Sequence, residues 1–146
     1  MTLRTLLPAL LLAAPLVAAE PVWHTDLAQA KALAAREHKN LLLDFTGSQW
    51  CPYCVLLQRE VLATPEFARF AEGCVLVKLD FPPSSGRSPE KLKADPALAR
   101  LMELKAAYRV TGFPTVVLLG PDGTERARAQ GYAKGMGPAA YLAKLK

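Results

Sequence analysis

Cysteine is scarce in this chain of 146 residues, which contains only three. A small fold held together by several disulfides needs a larger, even set, so a scaffold of that kind is excluded. The spacing instead separates one pair, Cys51 and Cys54, from a single residue, Cys74. Cys74 opens an apolar run, so we expect a buried, unreactive thiol there. The alternative is a regulatory third thiol.

Histidine is scarcer still, and no clustered ligand set accompanies it. The only two, His24 and His38, lie 14 positions apart (38 minus 24). Val55 follows Cys54, so the C-x-x-C-H pattern of covalent haem attachment is absent. A zinc site would need two more ligands at suitable spacing, and a site made by Cys74 with one histidine is the remaining alternative. We therefore expect no metal and no other cofactor.

A tract of one charge is also missing. The chain carries 18 Lys and Arg against 13 Asp and Glu, a formal net charge of +5, but the positive residues are dispersed. No aromatic platform alternates with them. Charges placed in this way are solvated surface positions rather than a phosphate-binding stripe, so we expect no nucleic-acid partner.

A long uncharged apolar run occurs only before residue 20. Residues 1–19 combine Arg4, an apolar body over 6–17, and small residues just before Glu20. This order predicts a secretory signal peptide over 1–19, cleaved before Glu20. An uncleaved membrane anchor is the alternative, disfavoured because the apolar body is short and two prolines interrupt it.

Cleavage would leave 127 residues (146 minus 19), which form one predicted domain over 20–146. That length is enough for a sizeable core and leaves no room for a second module. We expect a soluble monomer that works outside the cytoplasm, in the periplasm or an equivalent compartment.

The stretch around the cysteine pair predicts a strand, a turn and a helix. Residues 41–45 are short and apolar and end at a Gly-Ser turn, and Pro52 suits the first position of a helix. Residues three apart lie on one helix face, so Cys51 and Cys54 can close a disulfide. The unpaired N–H groups of the helix start favour the thiolate of Cys51, whereas Cys54 lies one turn further in.

Helices and strands are predicted to alternate through the rest of the chain. Proline, glycine and serine concentrate over 82–89, which predicts a surface loop. The other predicted elements are a helix from Thr25 or Asp26 to about 39, a continuation of the cysteine helix to about 61, a helix after Thr64, a strand over 74–80, a helix over 95–108 with Met102 in the core, a strand over 115–119, a hairpin strand over 124–129 and a last helix over 138–145.

Two separated motifs carry a family resemblance. The run Trp50-Cys51-Pro52-Tyr53-Cys54 follows one apolar strand, and Gly112-Phe113-Pro114-Thr115 precedes another. With Phe-Thr-Gly-Ser before the first motif, the chain resembles the thioredoxin superfamily, and more narrowly its exported bacterial members. The resemblance implies an α/β thioredoxin fold, in which helices cover both faces of a central mixed sheet. Residues 81–96 would then be a loop insertion relative to a minimal thioredoxin.

The cysteine pair points to thiol–disulfide exchange with protein substrates. Cys51 is the expected nucleophile, and Cys54 is the expected resolving thiol that releases the mixed disulfide. A permanent structural staple is the alternative, disfavoured because so short a loop gains little chain-entropy stabilisation.

The resemblance also implies a substrate groove. The Phe113–Pro114 peptide bond is expected to be cis and to lie opposite the cysteines. In the family, the backbone before this proline pairs with an extended substrate segment, as in strand addition. The expected lining residues are Trp50, Pro52, Tyr53, Phe113 and Pro114.

Asp44 resembles the family's buried acid behind the resolving cysteine, which accepts that cysteine's proton. Burial would raise its pKa and suit proton transfer near neutrality. Six residues separate Asp44 from Cys51, one more than in common thioredoxins, so an aspartate at the surface or in a cap is the alternative.

The expected activity is that of an exported reductase, recharged by a membrane electron donor and acting on protein disulfides or apocytochrome thiols. An oxidase or isomerase is one alternative, since Pro and Tyr between the cysteines could destabilise the disulfide. A non-enzymatic module holding copper or a partner through its thiols is another, although no Met-rich or His-rich site accompanies them. Cys-Pro-Tyr-Cys alone resembles the glutaredoxin motif, but its surroundings do not, so glutathione specificity is not expected.

Overall fold

A five-stranded mixed sheet forms the centre of the protein, seen in a computed structural model that describes residues 20–85 and 87–146. The strand order is β1-β3-β2-β4-β5. β1 and β2 run parallel to β3, whereas β4 is antiparallel to both β2 and β5. The strands are β1 (Trp23–His24), β2 (Asn40–Thr46), β3 (Cys74–Asp80), β4 (Thr115–Leu119) and β5 (Glu125–Gln130).

Within the described residues six α-helices surround the sheet, and several begin at the predicted capping residues. Asp26, Thr64 and Asp95 each accept a hydrogen bond from a backbone N–H of the first helical turn. The helices are α1 (Leu27–Glu37), α2 (Pro52–Leu57), α3 (Pro65–Ala71), α4 (Pro89–Lys93), α5 (Pro96–Ala107) and α6 (Gly137–Leu142), with a π-helical segment (Gln58–Leu62) after α2 and a 3-10 turn (Ala143–Leu145) after α6.

Two apolar clusters lie on opposite faces of the sheet, because successive side chains of a strand point to opposite sides. Leu41, Leu43 and Phe45 of β2 pack into the cluster under α1 and α5. Leu42 packs into the other cluster, under α2, α3 and α6. β2 is buried on both faces, which explains its near-continuous apolar sequence. The mixed sheet with helices on both faces agrees with the predicted fold class.

The sequence predicts that the helix beginning at the cysteine pair continues to about residue 61. In the structure the α-helix ends earlier, at Leu57. Beyond α2 the turn widens, and the Ala63 N–H donates to the carbonyl of Gln58, five residues earlier, at 2.9 Å. The wider turn buries two consecutive residues, Val61 and Leu62. A pattern based on 3.6 residues per turn cannot anticipate such a segment.

The structure differs from the predictions for the 81–96 insertion and for Met102. The insertion is not all loop, because Ser88 caps the short helix α4 inside it. Met102 does not lie in the core; 52% of its surface is exposed. Leu101 and Leu104 of the same helix contact the core cluster, and one residue further along a helix lies about 100° away from such a stripe.

The predicted signal peptide over 1–19 lies outside the described residues. Among the helices within 20–85 and 87–146, none is long and apolar enough to cross a bilayer.

Candidate active site

The cysteine pair lies where β2 ends and α2 begins. Cys51 is the N-cap of α2, Pro52 follows as its first residue, and Cys54 lies one turn in. The two sulfurs form a disulfide, and both cysteines are almost fully buried. The Cys54 N–H points at the Cys51 sulfur, 3.3 Å away. In the reduced protein this donor, at the positive end of a helix, would favour a thiolate at Cys51.

The loop that carries Trp50 is tied to the end of β3. The backbone N–H and the hydroxyl of Ser48 both donate to the carboxylate of Asp80. The indole N–H of Trp50 donates to the carbonyl of Phe81 at 2.7 Å. These bonds span 31 and 32 positions of the chain, so β3 holds the loop in place.

Gly47 leaves room for the Trp50 ring. The Trp50 and Cys51 N–H groups both donate to the Gly47 carbonyl, at 3.2 and 2.9 Å, which forms a tight turn. A Cβ added at Gly47 would lie 2.8 Å from the indole nitrogen and closer still to the ring carbons. The glycine of the Phe-Thr-Gly-Ser motif is therefore required for the position of the indole.

The Phe113–Pro114 peptide bond is cis. The side chain of Phe113 packs in an aromatic group with Trp50 and Phe81. The Phe113 ring lies 5.6 Å from the Trp50 ring and 4.8 Å from the Phe81 ring, measured between centroids. Pro114 is buried, and its carbonyl accepts a hydrogen bond from Gly131. The structure thus brings together two of the predicted groove residues, Trp50 and Phe113.

The exposed apolar surface beside the pair comes from α2 and its start. Trp50 is 43% exposed and Tyr53 is 56% exposed, and Val55 on the same helix is also exposed. Pro52 is exposed as well. Large apolar side chains in solvent next to a buried cysteine pair are suited to contact another chain.

Asp44 is buried in the middle of β2, which rules out the alternative of a surface or capping residue. Burial raises its pKa to about 7; the cation of Lys78, its neighbour in β3, opposes this shift and the carboxylate of Asp80 adds to it. Its oxygen Oδ1 has no hydrogen-bond partner among the described residues. Asp44 lies two positions after Leu42, so its side chain points to the face covered by α2 and α6.

The sequence predicts a buried thiol at Cys74, but the residue is only half-buried. Its sulfur lies 3.9 Å from the carbonyl of Phe70, and burial raises its pKa to about 11. A thiol of that pKa is almost entirely protonated at neutral pH, which makes it a poor nucleophile. Within the described part of the chain, no three His, Cys, Asp or Glu side chains are grouped as metal ligands.

Residues that the sequence pattern did not indicate complete the site. Asp80 and Phe81 anchor the loop from a distant strand, and Tyr141 lies fully buried on the Asp44 side of the sheet. Only Tyr141 leaves a trace in the sequence, as an aromatic residue in a helix with an apolar face.

Comparison with known proteins agrees with this geometry. A family profile described as "Thioredoxin-like domain" matches residues 27–146. The Disulfide bond reductase DsbH of Chlamydia pneumoniae is 37% identical over 133 residues, covering 90% of this chain and 75% of the relative. The Thiol:disulfide interchange protein DsbD 2 of Pseudomonas aeruginosa is 32% identical over 101 residues, which cover 69% of this chain but only 15% of that longer protein.

A solved structure of similar shape is described as "DsbH Oxidoreductase". It superposes with a TM-score of 0.72 at 34% identity, covering 99% of this chain and 92% of that one. The fold and the cysteine pair therefore define a thiol–disulfide oxidoreductase with a thioredoxin fold. The chain belongs to the thioredoxin-like domain family.

We expect Gly47→Ala to reduce activity by displacing the Trp50 ring. The added methyl group cannot coexist with the indole in its present position, so the bond to Phe81 should break. Loss of one such hydrogen bond predicts a fall of about tenfold in kcat/KM for reduction of a protein disulfide. Gly73→Ala is the matched control, since a Cβ there meets only one backbone oxygen, at 3.8 Å. Equal activity of the two variants would contradict the role given to Gly47.

Proposed function

We propose that the chain is an exported reductase of protein disulfides. The observation that carries the proposal is the Cys51–Cys54 pair at the start of α2, with an N–H donor directed at the Cys51 sulfur. The direction of electron flow is supported by the relative named as a disulfide bond reductase, with which the chain shares 37% identity.

The reaction would proceed through two exchanges. The Cys51 thiolate attacks one sulfur of the substrate disulfide, a mixed disulfide forms, and the other substrate sulfur leaves as a thiolate. Cys54 then loses its proton and attacks the Cys51 sulfur, which releases the second substrate sulfur. The substrate gains two electrons, and the Cys51–Cys54 disulfide is formed.

Each turnover leaves the pair oxidised, so the cycle needs a donor of two electrons. We propose a membrane electron donor that reduces the pair by the same exchange in reverse. The predicted signal peptide supports an extracytoplasmic site of action, where such a donor would meet the protein. Monomeric function is part of this proposal.

Asp44 is the proposed acceptor of the Cys54 proton. The carboxyl lies on the face of the sheet that α2 covers, and its pKa of about 7 allows it to exist in either protonation state near neutrality. A base with a pKa close to the working pH is best suited to take a proton and give it back.

The substrate would bind across the aromatic group and the cis proline. The backbone N–H and carbonyl of Phe113 make no backbone hydrogen bond within the described residues, so they are free to pair with an extended segment. Trp50, Pro52 and Tyr53 would contact the substrate on the cysteine side, and Pro114 would shape the opposite side. Pairing through the backbone gives affinity without requiring one sequence.

Trapping of the mixed disulfide tests the order of the two thiols. Cys54→Ser should accumulate a covalent adduct with a disulfide-containing protein such as insulin, because the resolving thiol is gone. Cys51→Ser, the matched control, should form no more adduct than background. The adduct is counted by mass spectrometry under non-reducing conditions. Equal trapping by the two variants would contradict the roles assigned to them.

Asp44→Asn tests the proton acceptor. The amide cannot accept the Cys54 proton, so we expect release of the mixed disulfide to slow by roughly a hundredfold. The rise of the release rate with pH near 7 should also disappear, since that rise reports ionisation of Asp44. Asp26→Asn is the control, because Asp26 is an exposed cap whose oxygen the amide retains. Rapid-quench kinetics that show an unchanged pH profile in Asp44→Asn would exclude the proposal.

A further inference from the structure

Two buried polar atoms lack a hydrogen-bond partner among the described residues: Asp44 Oδ1 and the hydroxyl of Tyr141. Tyr141 is fully buried, and Asp44 is 2% exposed. A buried polar group without a partner costs free energy, and such atoms in native proteins are commonly satisfied by a bound water molecule. Two of them on one side of the sheet therefore need a common explanation.

The two residues belong to the same region of the core. Asp44 points to the face of the sheet on which Leu42 and Val116 lie, and the apolar cluster on that face includes Tyr141. Burial raises the pKa of Tyr141, and the negative charge of Asp44 adds to this shift, so the two groups interact electrostatically.

The other polar groups around them are already engaged. The Lys78 ammonium donates to Gln58 Oε1 at 3.4 Å and lies over the Trp23 ring. The Tyr132 hydroxyl donates to Glu60 at 2.7 Å and accepts from the Gly137 N–H. The titratable groups on this side of the core include Cys54, Glu60, Cys74, Lys78, Asp80, Tyr132 and Tyr141. Of these, the Tyr141 hydroxyl is buried, unpartnered and able to donate to Asp44.

We propose that Tyr141 is a positioning residue for Asp44: its hydroxyl and Asp44 Oδ1 hold one water molecule between them inside the core. The Tyr141 hydroxyl donates to the water, and the water donates to the carboxylate. This arrangement satisfies both orphaned atoms and fixes the orientation of the carboxyl group. The inference rests on the proposed function of Asp44 as proton acceptor and assigns a second residue to that function.

The bridging water stabilises the ionised carboxylate, because a hydrogen bond to a charged form favours that form. Without the water, the carboxylate would lose this hydrogen bond, and Asp44 would hold its proton more firmly. Tyr141 would thus make Asp44 easier to deprotonate than the same buried carboxyl group without the water.

Tyr141→Phe removes the hydroxyl and leaves the ring that fills the core. We expect the pKa of Asp44 to rise by about one unit, measured by carbon-13 NMR titration of its carboxyl carbon, with Asp44→Asn used to assign the signal. The midpoint of the pH profile for release of the mixed disulfide should rise with it. Tyr132→Phe is the matched control: it removes a hydroxyl from the neighbouring ring, 5.7 Å away, that is bonded to Glu60 instead. It should leave the pKa of Asp44 unchanged.

Denaturant unfolding of Tyr141→Phe gives a second test, because the unfolding midpoint should change differently with and without the bridging water. If the Tyr141 hydroxyl is satisfied by water, Tyr141→Phe breaks a hydrogen bond and the unfolding midpoint falls. If the hydroxyl is an unsatisfied buried group, its removal leaves the midpoint unchanged or raises it. An unchanged pKa of Asp44, or an unfolding midpoint that stays unchanged or rises, would overturn the inference.

The interaction between Tyr141 and Asp44 can be tested even if Asp44 is not the proton acceptor. Should Asp44→Asn release the mixed disulfide at the rate of the unaltered protein, Asp44 is not the proton acceptor. The NMR titration would still show whether Tyr141 acts on the carboxyl group, because it requires no turnover.

Discussion

The parallel pairing of β2 with β3 is the constraint on which the site depends. The two strands are in register over seven residues, from Asn40 beside Cys74 to Thr46 beside Asp80, and the Phe81 N–H extends the ladder to the Thr46 carbonyl at 2.8 Å. Beyond that point β2 leads into the cysteine loop, while Asp80 at the end of β3 and Phe81 just after it supply the two acceptors that hold the loop, one for Ser48 and one for Trp50. A shift of this register would displace both the Asp80 carboxylate and the Phe81 carbonyl from their hydrogen-bond donors in the loop.

Burial of a carboxyl group in the same strand has a cost in stability. Asp44 releases its proton near its ordinary pKa of 3.8 in the unfolded chain, but only near 7 in the folded protein. Between these values the folded state binds more protons, so stability falls as pH rises, and the loss approaches roughly 4 kcal/mol above pH 7. Retaining such a group in place of an apolar residue is understandable if its titration serves the reaction, which is the role proposed for it.

Local sequence features predicted the parts of the fold that depend on neighbours along the chain. The helix starts at Asp26, Thr64 and Asp95 follow from side-chain oxygens that cap the first turn. The strands β2, β3 and β4 follow from apolar runs, β5 follows from the hairpin pattern, and the cysteine pair at the start of α2 follows from the position of Pro52. Met102 was misplaced because a pattern of leucines and methionine does not reveal which side of a helix faces the core when several adjacent positions are apolar. The Asp80 and Phe81 anchors and the buried Tyr141 hydroxyl arise from contacts between distant parts of the chain, which no local pattern contains.

The reduction potential of the Cys51–Cys54 couple would show whether the pair works as a reductant. The protein would be equilibrated in defined thiol buffers, and the oxidised fraction would be read from the mass added on alkylation. We expect a value near the roughly −270 mV of thioredoxin, at which the reduced pair can donate electrons to protein disulfides. A value near about −120 mV would contradict this expectation, because such a pair would donate its disulfide to folding proteins instead.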